Sequence, residues 1–186
     1  MPSAQPFLMA VNGVFVVAGR GTVVSGIIET GVIRTGETVE CVGFGTVLTR
    51  QVAGIELYHK TVGEARAGDP AGLMFTDLGK TEVQHGHVLA APGTIASHAG
   101  FDAEIVLLKR DEGGRAAPIA SGYRAQIQIR TASAPGELSL PGGSLKPGDS
   151  GSARIALQSP LPLKTGDRFT VTEGGRTIGM GSIASV

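Results

Sequence analysis

Apolar residues in this chain fall in short runs or strict alternation, and almost nowhere at helical spacing. VFVVAG, TVVSGII, ETVECV, AEIVLL, AQIQIR, SARIAL and RFTVT are each strand-length and bounded by glycine or polar residues. Gln126, Gln128 and Arg130 alternate with Ile127 and Ile129, the period-2 pattern of a strand with one wet face. The nearest approach to a helix, TEVQHGHVL, is short and is interrupted by Gly86. The expected fold class is all-β.

The 29 glycines and 10 prolines are spread along the chain, which indicates frequent turns rather than a low-complexity tract. One phrase recurs four times: Arg34-Thr35-Gly36-Glu37, Arg66-Ala67-Gly68-Asp69, Lys146-Pro147-Gly148-Asp149 and Lys164-Thr165-Gly166-Asp167. In each, glycine supplies a positive φ and the following acid is expected to stay solvated. Two copies lie in each half, which suggests two barrels of similar construction. Ala91-Pro92-Gly93-Thr94-Ile95-Ala96-Ser97-His98 reads as the connector between them.

FVVAGRGTVVSG (Phe15 to Gly26) poses the sharpest functional question, because Gly-Arg-Gly resembles a phosphate-cradling loop. A dinucleotide loop needs a third glycine where Val24 stands, and a helix after it. The string G-x-x-x-x-G-K-[ST] does not occur in the chain. A hairpin or a tightly coiled barrel corner is the expectation instead.

Lysine plus arginine equals aspartate plus glutamate, 16 each, so no global field draws the protein to a polyanion. Residues 1–93 carry six basic and eight acidic side chains, and residues 94–186 carry ten and eight. Cys41 is the sole cysteine and lies in an apolar stretch, where a buried, inert thiol in a reducing compartment is expected. No basic residue precedes FLMAVNGVFVVAG and no cleavage signature follows it, so it does not read as a leader. No apolar run reaches membrane-spanning length, and a soluble, cytoplasmic protein is expected.

His85-Gly86-His87 places two imidazoles on one strand face. A metal site needs further ligands, however, so surface or RNA-side histidines are the expectation, with no metal and no cofactor. Gly148-Asp149-Ser150-Gly151-Ser152 lacks the spacing of a nucleophile elbow, and no enzyme is expected.

PFLMAVNGVFVVAGRGTVVSGIIETGVIRTGETVECVG resembles the start of the second domain of bacterial elongation factor Tu. The resemblance continues through VAGIELYHKTVGEARAGDPAGLMF and HVLAAPGTIASH. It enters that family's third domain with LLKRDEGGRAAPIASGYRAQIQIRT and runs on to EGGRTIGMG. It implies two antiparallel β-barrels, at residues 6–93 and 101–186, joined by a linker at 94–100. The family's GTP-binding motifs are not found in this sequence, so no GTPase activity is expected.

The resemblance also implies site residues. Phe15, Val17, Gly19, Val23 and Glu56 match the pocket for the aminoacylated 3′ end of transfer RNA. The alternative for Phe15, Val17 and Val23 is plain barrel core. Arg115, Gln126, Arg130, Glu173 and Gly174 match the set facing the T-stem. The departures matter equally. Asn12-Gly13 replaces Glu-Asp, and Pro70 replaces an asparagine at the aminoacyl pocket and has no N–H to offer. His85 replaces an arginine near the 5′ end, Ser159 a lysine and Pro135 a threonine. The segment Arg115-Ala116-Ala117-Pro118-Ile119-Ala120 lacks the histidine and both phenylalanines of a family docking surface.

The expected function is a non-catalytic binding module of the translation-elongation type, with weakened or lost binding of aminoacyl-tRNA. The alternatives are a module docking a protein partner of the translation machinery, such as a separate GTPase, or a fragment of a full-length elongation factor.

Overall fold

A computed structural model describes residues 5–186. The chain divides into two compact units, one ending at Ala96 and the other running from Ser97 to Val186. Both are built from antiparallel strands, and the single helical turn among the described residues is a 3₁₀ turn at Arg110–Glu112. The strand that opens the second unit begins at Ala96, within the segment read from sequence as linker.

The first unit contains β1 (Leu8–Ala10), β2 (Gly13–Val17), β3 (Gly21–Thr30), β4 (Val32–Arg34), β5 (Thr38–Gly43) and β6 (Thr46–Gln51). It continues with β7 (Gly54–Leu57), β8 (Lys60–Val62), β9 (Glu64–Arg66), β10 (Pro70–Phe75) and β11 (Val88–Ala90). Nine of them form one curled sheet in the order β6-β5-β11-β1-β3-β10-β7-β8, with β2 added to β3; β4 and β9 pair separately. Its core is aliphatic, as the shortage of aromatic residues requires: Met9, Val24, Ile28, Ile33, Ile55, Leu73 and Leu89 are buried with Phe75. Each such side chain contributes about 1.5–3 kcal/mol by leaving water.

The second unit contains β12 (Ala96–Leu107), β13 (Ile119–Ala120), β14 (Tyr123–Ile129), β15 (Ala132–Ser139), β16 (Ser144–Leu145), β17 (Ser150–Leu163), β18 (Arg168–Glu173) and β19 (Arg176–Ser185). Six of these close into a barrel in the order β12-β17-β15-β14-β18-β19. Ile127 and Ile129 point into it while Gln126 and Gln128 point out, as their alternation requires. Phe101 and Phe169 meet edge to face inside, with centroids 5.2 Å apart.

The recurring phrase is one structure used four times. Gly36, Gly68, Gly148 and Gly166 have φ of 92°, 94°, 89° and 92°. In every copy the acid's N–H returns to the carbonyl of the first residue at 3.0–3.1 Å, and the glycine N–H reaches a carbonyl of another segment at 2.8 Å. These are the marks of a type II turn. The expected solvation of the acid fails at Asp167, which is buried. Its carboxylate accepts two hydrogen bonds from the Arg130 guanidinium, at 2.7 and 2.8 Å, and one from the Lys164 N–H at 2.9 Å. A buried carboxylate is tolerated here because it is paired and hydrogen-bonded.

FVVAGRGTVVSG is a hairpin. Its first run is in β2, Ala18-Gly19-Arg20 form the turn, and β3 follows at once. Gly21 has φ of 131°, and a side chain there would run into the Phe75 carbonyl. Glycine serves close backbone approach, with no helix following to receive a phosphate.

Candidate functional site

Alternation along β3 settles what the hairpin residues do. Thr22, Val24 and Ile28 are buried, whereas Val23 and Ser25 are half-buried and Ile27 is exposed. Cross-strand register carries the outward set over four strands. Phe15 faces Val23, Val23 faces Met74, and Met74 faces Gly54. In the adjoining row Gly13 faces Ser25, Ser25 faces Gly72, and Gly72 faces Glu56. Phe15 is 57% exposed, and neither Val17 nor Val23 belongs to the core. The core alternative for these three residues is therefore excluded, and their position on the outward surface is compatible with ligand contact.

The second row is nearly bare of side chains and ends on a carboxylate. Ser25, Gly72 and Glu56 of this row line an open trough of about 420 Å³, together with Asn12, Tyr58, His59 and Pro70. The Phe15 ring lies close over Gly13, where an added Cβ would stand 3.2 Å from the ring. Arg20, at the hairpin tip, comes within 3.9 Å of Glu56; both are substantially exposed, so the attraction is worth at most about 1 kcal/mol. Gly19, in the same tip, has φ of 75° and open space around it, and does not line the trough.

Two lining residues escape a sequence reading. Tyr58 and His59 form the two-residue turn between β7 and β8, with φ of 50° and 66°. Such turns favour Asn-Gly, so Tyr-His gives no turn signal, and holding both residues left-handed costs on the order of 1–3 kcal/mol each. The strain presents Tyr58, 77% exposed, at the trough.

His85 is exposed, and its Nδ1 lies 3.1 Å from the Asn12 carbonyl, which brings this family-matched position to the trough's edge. His87 corrects the expectation of two surface histidines. It is buried, edge-on to Phe44 at 4.9 Å, and burial pushes its pKa down. Among the described residues no cluster of three or more histidine, cysteine or acidic side chains has the arrangement to hold a metal.

In the second unit the T-stem set divides. Arg115 donates to Tyr123 Oη at 3.0 Å and to Glu173 Oε1 at 2.7 Å, and its guanidinium lies 4.9 Å from the centre of the Tyr123 ring. Hydrogen bonding from Tyr123, then the charge of Arg115, holds the Glu173 carboxyl below its ordinary pKa. Gln126 pairs with Thr172 and Pro135 in register, and a shallow cleft takes in Gln126, Pro135, Glu173 and Gly174. Arg115, Gln126, Glu173 and Gly174 thus lie together.

Arg130 does not join them. It follows the last residue of β14, and its side chain is only 9% exposed, bound to Asp167 through both terminal nitrogens. The pair with Asp167 neutralises its charge inside the fold. Ile119, in the altered docking segment, is a core residue of the barrel.

The model of the elongation factor Tu C-terminal domain matches residues 94–186, and that of elongation factor Tu domain 2 matches residues 21–90. The chain belongs to the elongation factor Tu family. The curled sheet corresponds to domain 2 of that family and the closed barrel to its C-terminal domain. No helix among the described residues is long and apolar enough to cross a membrane.

Proposed function

We propose that this chain is a non-catalytic, elongation-factor-like module that binds the end of a transfer RNA weakly, in the cytoplasm where translation occurs. The observation that carries this reading is the placement of Phe15, Val23, Glu56 and Pro70 on one outward face of the first unit, beside an open trough. A floor of glycine and serine lets a base lie flat against backbone, and Glu56 can accept a hydrogen bond from its sugar or ring. The cluster of Arg115, Gln126, Glu173 and Gly174 supports a second, backbone-directed contact. Weakness follows from the charge inventory. Arg130 is neutralised by Asp167, Ser159 stands where the family has a lysine and His85 where it has an arginine, and each missing cation lowers phosphate affinity. Non-catalytic character is supported by the missing phosphate-loop string.

A gel-shift titration at low salt with a single transfer RNA tests the reading. The expected midpoint is about 10–100 μM, the range of mainly electrostatic binding, and it should rise steeply with salt. A midpoint well below about 1 μM would refute the weakness, and no saturable binding would refute the function.

One observation favours a protein partner as the second reading. An open groove of about 690 Å³ lies over β12, β14, β18 and β19, where Val106 and Met180 are 43% and 46% exposed. Arg168 lines it with no ion pair among the described residues. Affinity capture separates the readings: transfer RNA on one side, one stoichiometric protein on the other.

A further inference from the structure

We propose that His87 is an acid-sensitive latch: while neutral, its buried imidazole holds the segment 84–87 against Val11 and Asn12, and on gaining a proton it lets that segment go.

The segment precedes β11 and turns back on itself. The His87 N–H donates to the Gln84 carbonyl at 3.1 Å, and the Gln84 N–H donates to His87 Nδ1 at 3.1 Å. Two further contacts fasten the segment to the link between β1 and β2. The Val11 N–H donates to the His87 carbonyl at 2.9 Å, and His85 Nδ1 lies 3.1 Å from the Asn12 carbonyl. Asn12 lines the trough, so one rim of it is held by a turn that the His87 ring closes. The ring is 4% exposed, lies against Phe44, and takes its room from bare backbone, because a Cβ added at Gly43 would stand 2.8 Å from it.

A proton upsets this arrangement twice. Both nitrogens of an imidazolium carry N–H groups, so Nδ1 stops accepting and the Gln84 N–H loses its partner. The new charge also meets no anion. Gly43 and Phe44 from the β5–β6 hairpin bring no charge, nor do Val11 and Asn12. Cys41 in β5, pushed up to about 12, keeps its proton. Glu82, the nearest acid along the chain, is committed to Arg50 and to the Gly79 N–H, and His85 adds only like charge. Burial therefore holds the His87 pKa below 6.5, with the Gln84 carbonyl, 3.2 Å from Nδ1, partly opposing. Once the segment opens, the ring regains its ordinary basicity. The open form then binds the proton more tightly and gains on the closed form as pH falls below 6.5.

Native-state hydrogen exchange followed by NMR on the whole chain is the test. Between pH 8 and pH 5, after correction for the chemical exchange rate, protection of the Val11 and His87 amides should fall by about three- to thirtyfold, the upper figure being the ceiling for a ring that titrates near 6.5 once released. Amides of β10 should keep their protection, and the His87 ring signals should show a midpoint below 6.5. His87→Gln should abolish the fall, and His85→Gln should leave it in place. Should His87→Gln not fold, Phe44→Ala, which uncovers the ring from an exposed hairpin position, should bring the midpoint closer to 6.5 and shrink the fall. Unchanged protection down to pH 5, a His87 midpoint at or above 6.5, or a fall that disappears with His85 would overturn the latch. A loss shared equally by β10 would be general acid unfolding and would overturn it too.

Discussion

Removing the positive partner of the Arg130–Asp167 pair should damage the second unit severely. The two side chains are 9% and 5% exposed and share two hydrogen bonds of 2.7 and 2.8 Å, so Arg130→Met leaves a carboxylate out of water with only the Lys164 N–H at 2.9 Å and the distant Lys164 ammonium at 3.8 Å. Breaking such a pair from one side costs about 3–5 kcal/mol. With a urea slope of about 1–3 kcal/mol per molar for a domain this small, the unfolding midpoint should fall by roughly 2 M. That is a large share of the about 5–15 kcal/mol that ordinarily holds a domain together. Urea titration followed by backbone NMR, which reads the two units separately, is the suitable assay. Asp167→Asn keeps an acceptor for the Lys164 N–H, and combined with Arg130→Met it removes both charges. The double variant should therefore be more stable than the two single losses added, by about 1–3 kcal/mol. In the folded fraction of Arg130→Met, the salt dependence of RNA binding should be unchanged. A single-variant loss below about 1 kcal/mol, or a salt slope clearly flattened in the folded protein, would mean that Arg130 is a free cation and that the reasoning is wrong.

Gly21→Ala should cost at least about 2–3 kcal/mol, because its side chain would meet the Phe75 carbonyl at φ of 131°, whereas Gly19→Ala, with open space at φ of 75°, should cost about 1 kcal/mol; thermal melting compares them. Burial pushes the Cys41 thiol from 9.0 up to about 12, with Arg50 partly opposing, so at pH 8 it should ignore a thiol-reactive disulfide reagent until denaturant is added. Because the folded state holds the proton more tightly, this thiol's contribution to stability is complete below pH 9 and is lost as pH rises from about 9 to about 12, which denaturation at stepped pH can follow. Ser159→Lys adds a cation at an exposed position, and in a shift titration it should tighten RNA binding and steepen the salt slope by roughly 0.7–0.9.

The strands were legible because their signal is local. Gln126 to Arg130 shows which face is wet, and the glycine phrases show where the chain turns, without reference to any distant residue. Resemblance carried the fold further, to two β units of known type. What sequence could not show was pairing across distance. Nothing in Lys164-Thr165-Gly166-Asp167 distinguishes its acid from the other three, because its partner lies 37 positions away on the end of another strand. Phe15 looked equally suited to core and surface until register set it opposite outward-facing Val23. Tyr58 and His59 were missed for a different reason. Their turn uses residues that ordinarily avoid its geometry, so propensity points away from the conformation they adopt.

All four Gly-centred corners fasten the glycine amide to a neighbouring segment, and in two of them the aspartate carboxylate also accepts from the N–H of the first residue, at Asp69 from Arg66 and at Asp167 from Lys164. At Gly36 and Gly148 the bend rests on these main-chain bonds, so change in the neighbouring letters leaves it intact. The corner at Gly166 serves a second duty through its aspartate, which holds the buried Arg130, and there spelling and shape cannot vary independently; at residue 167 punctuation doubles as a keystone.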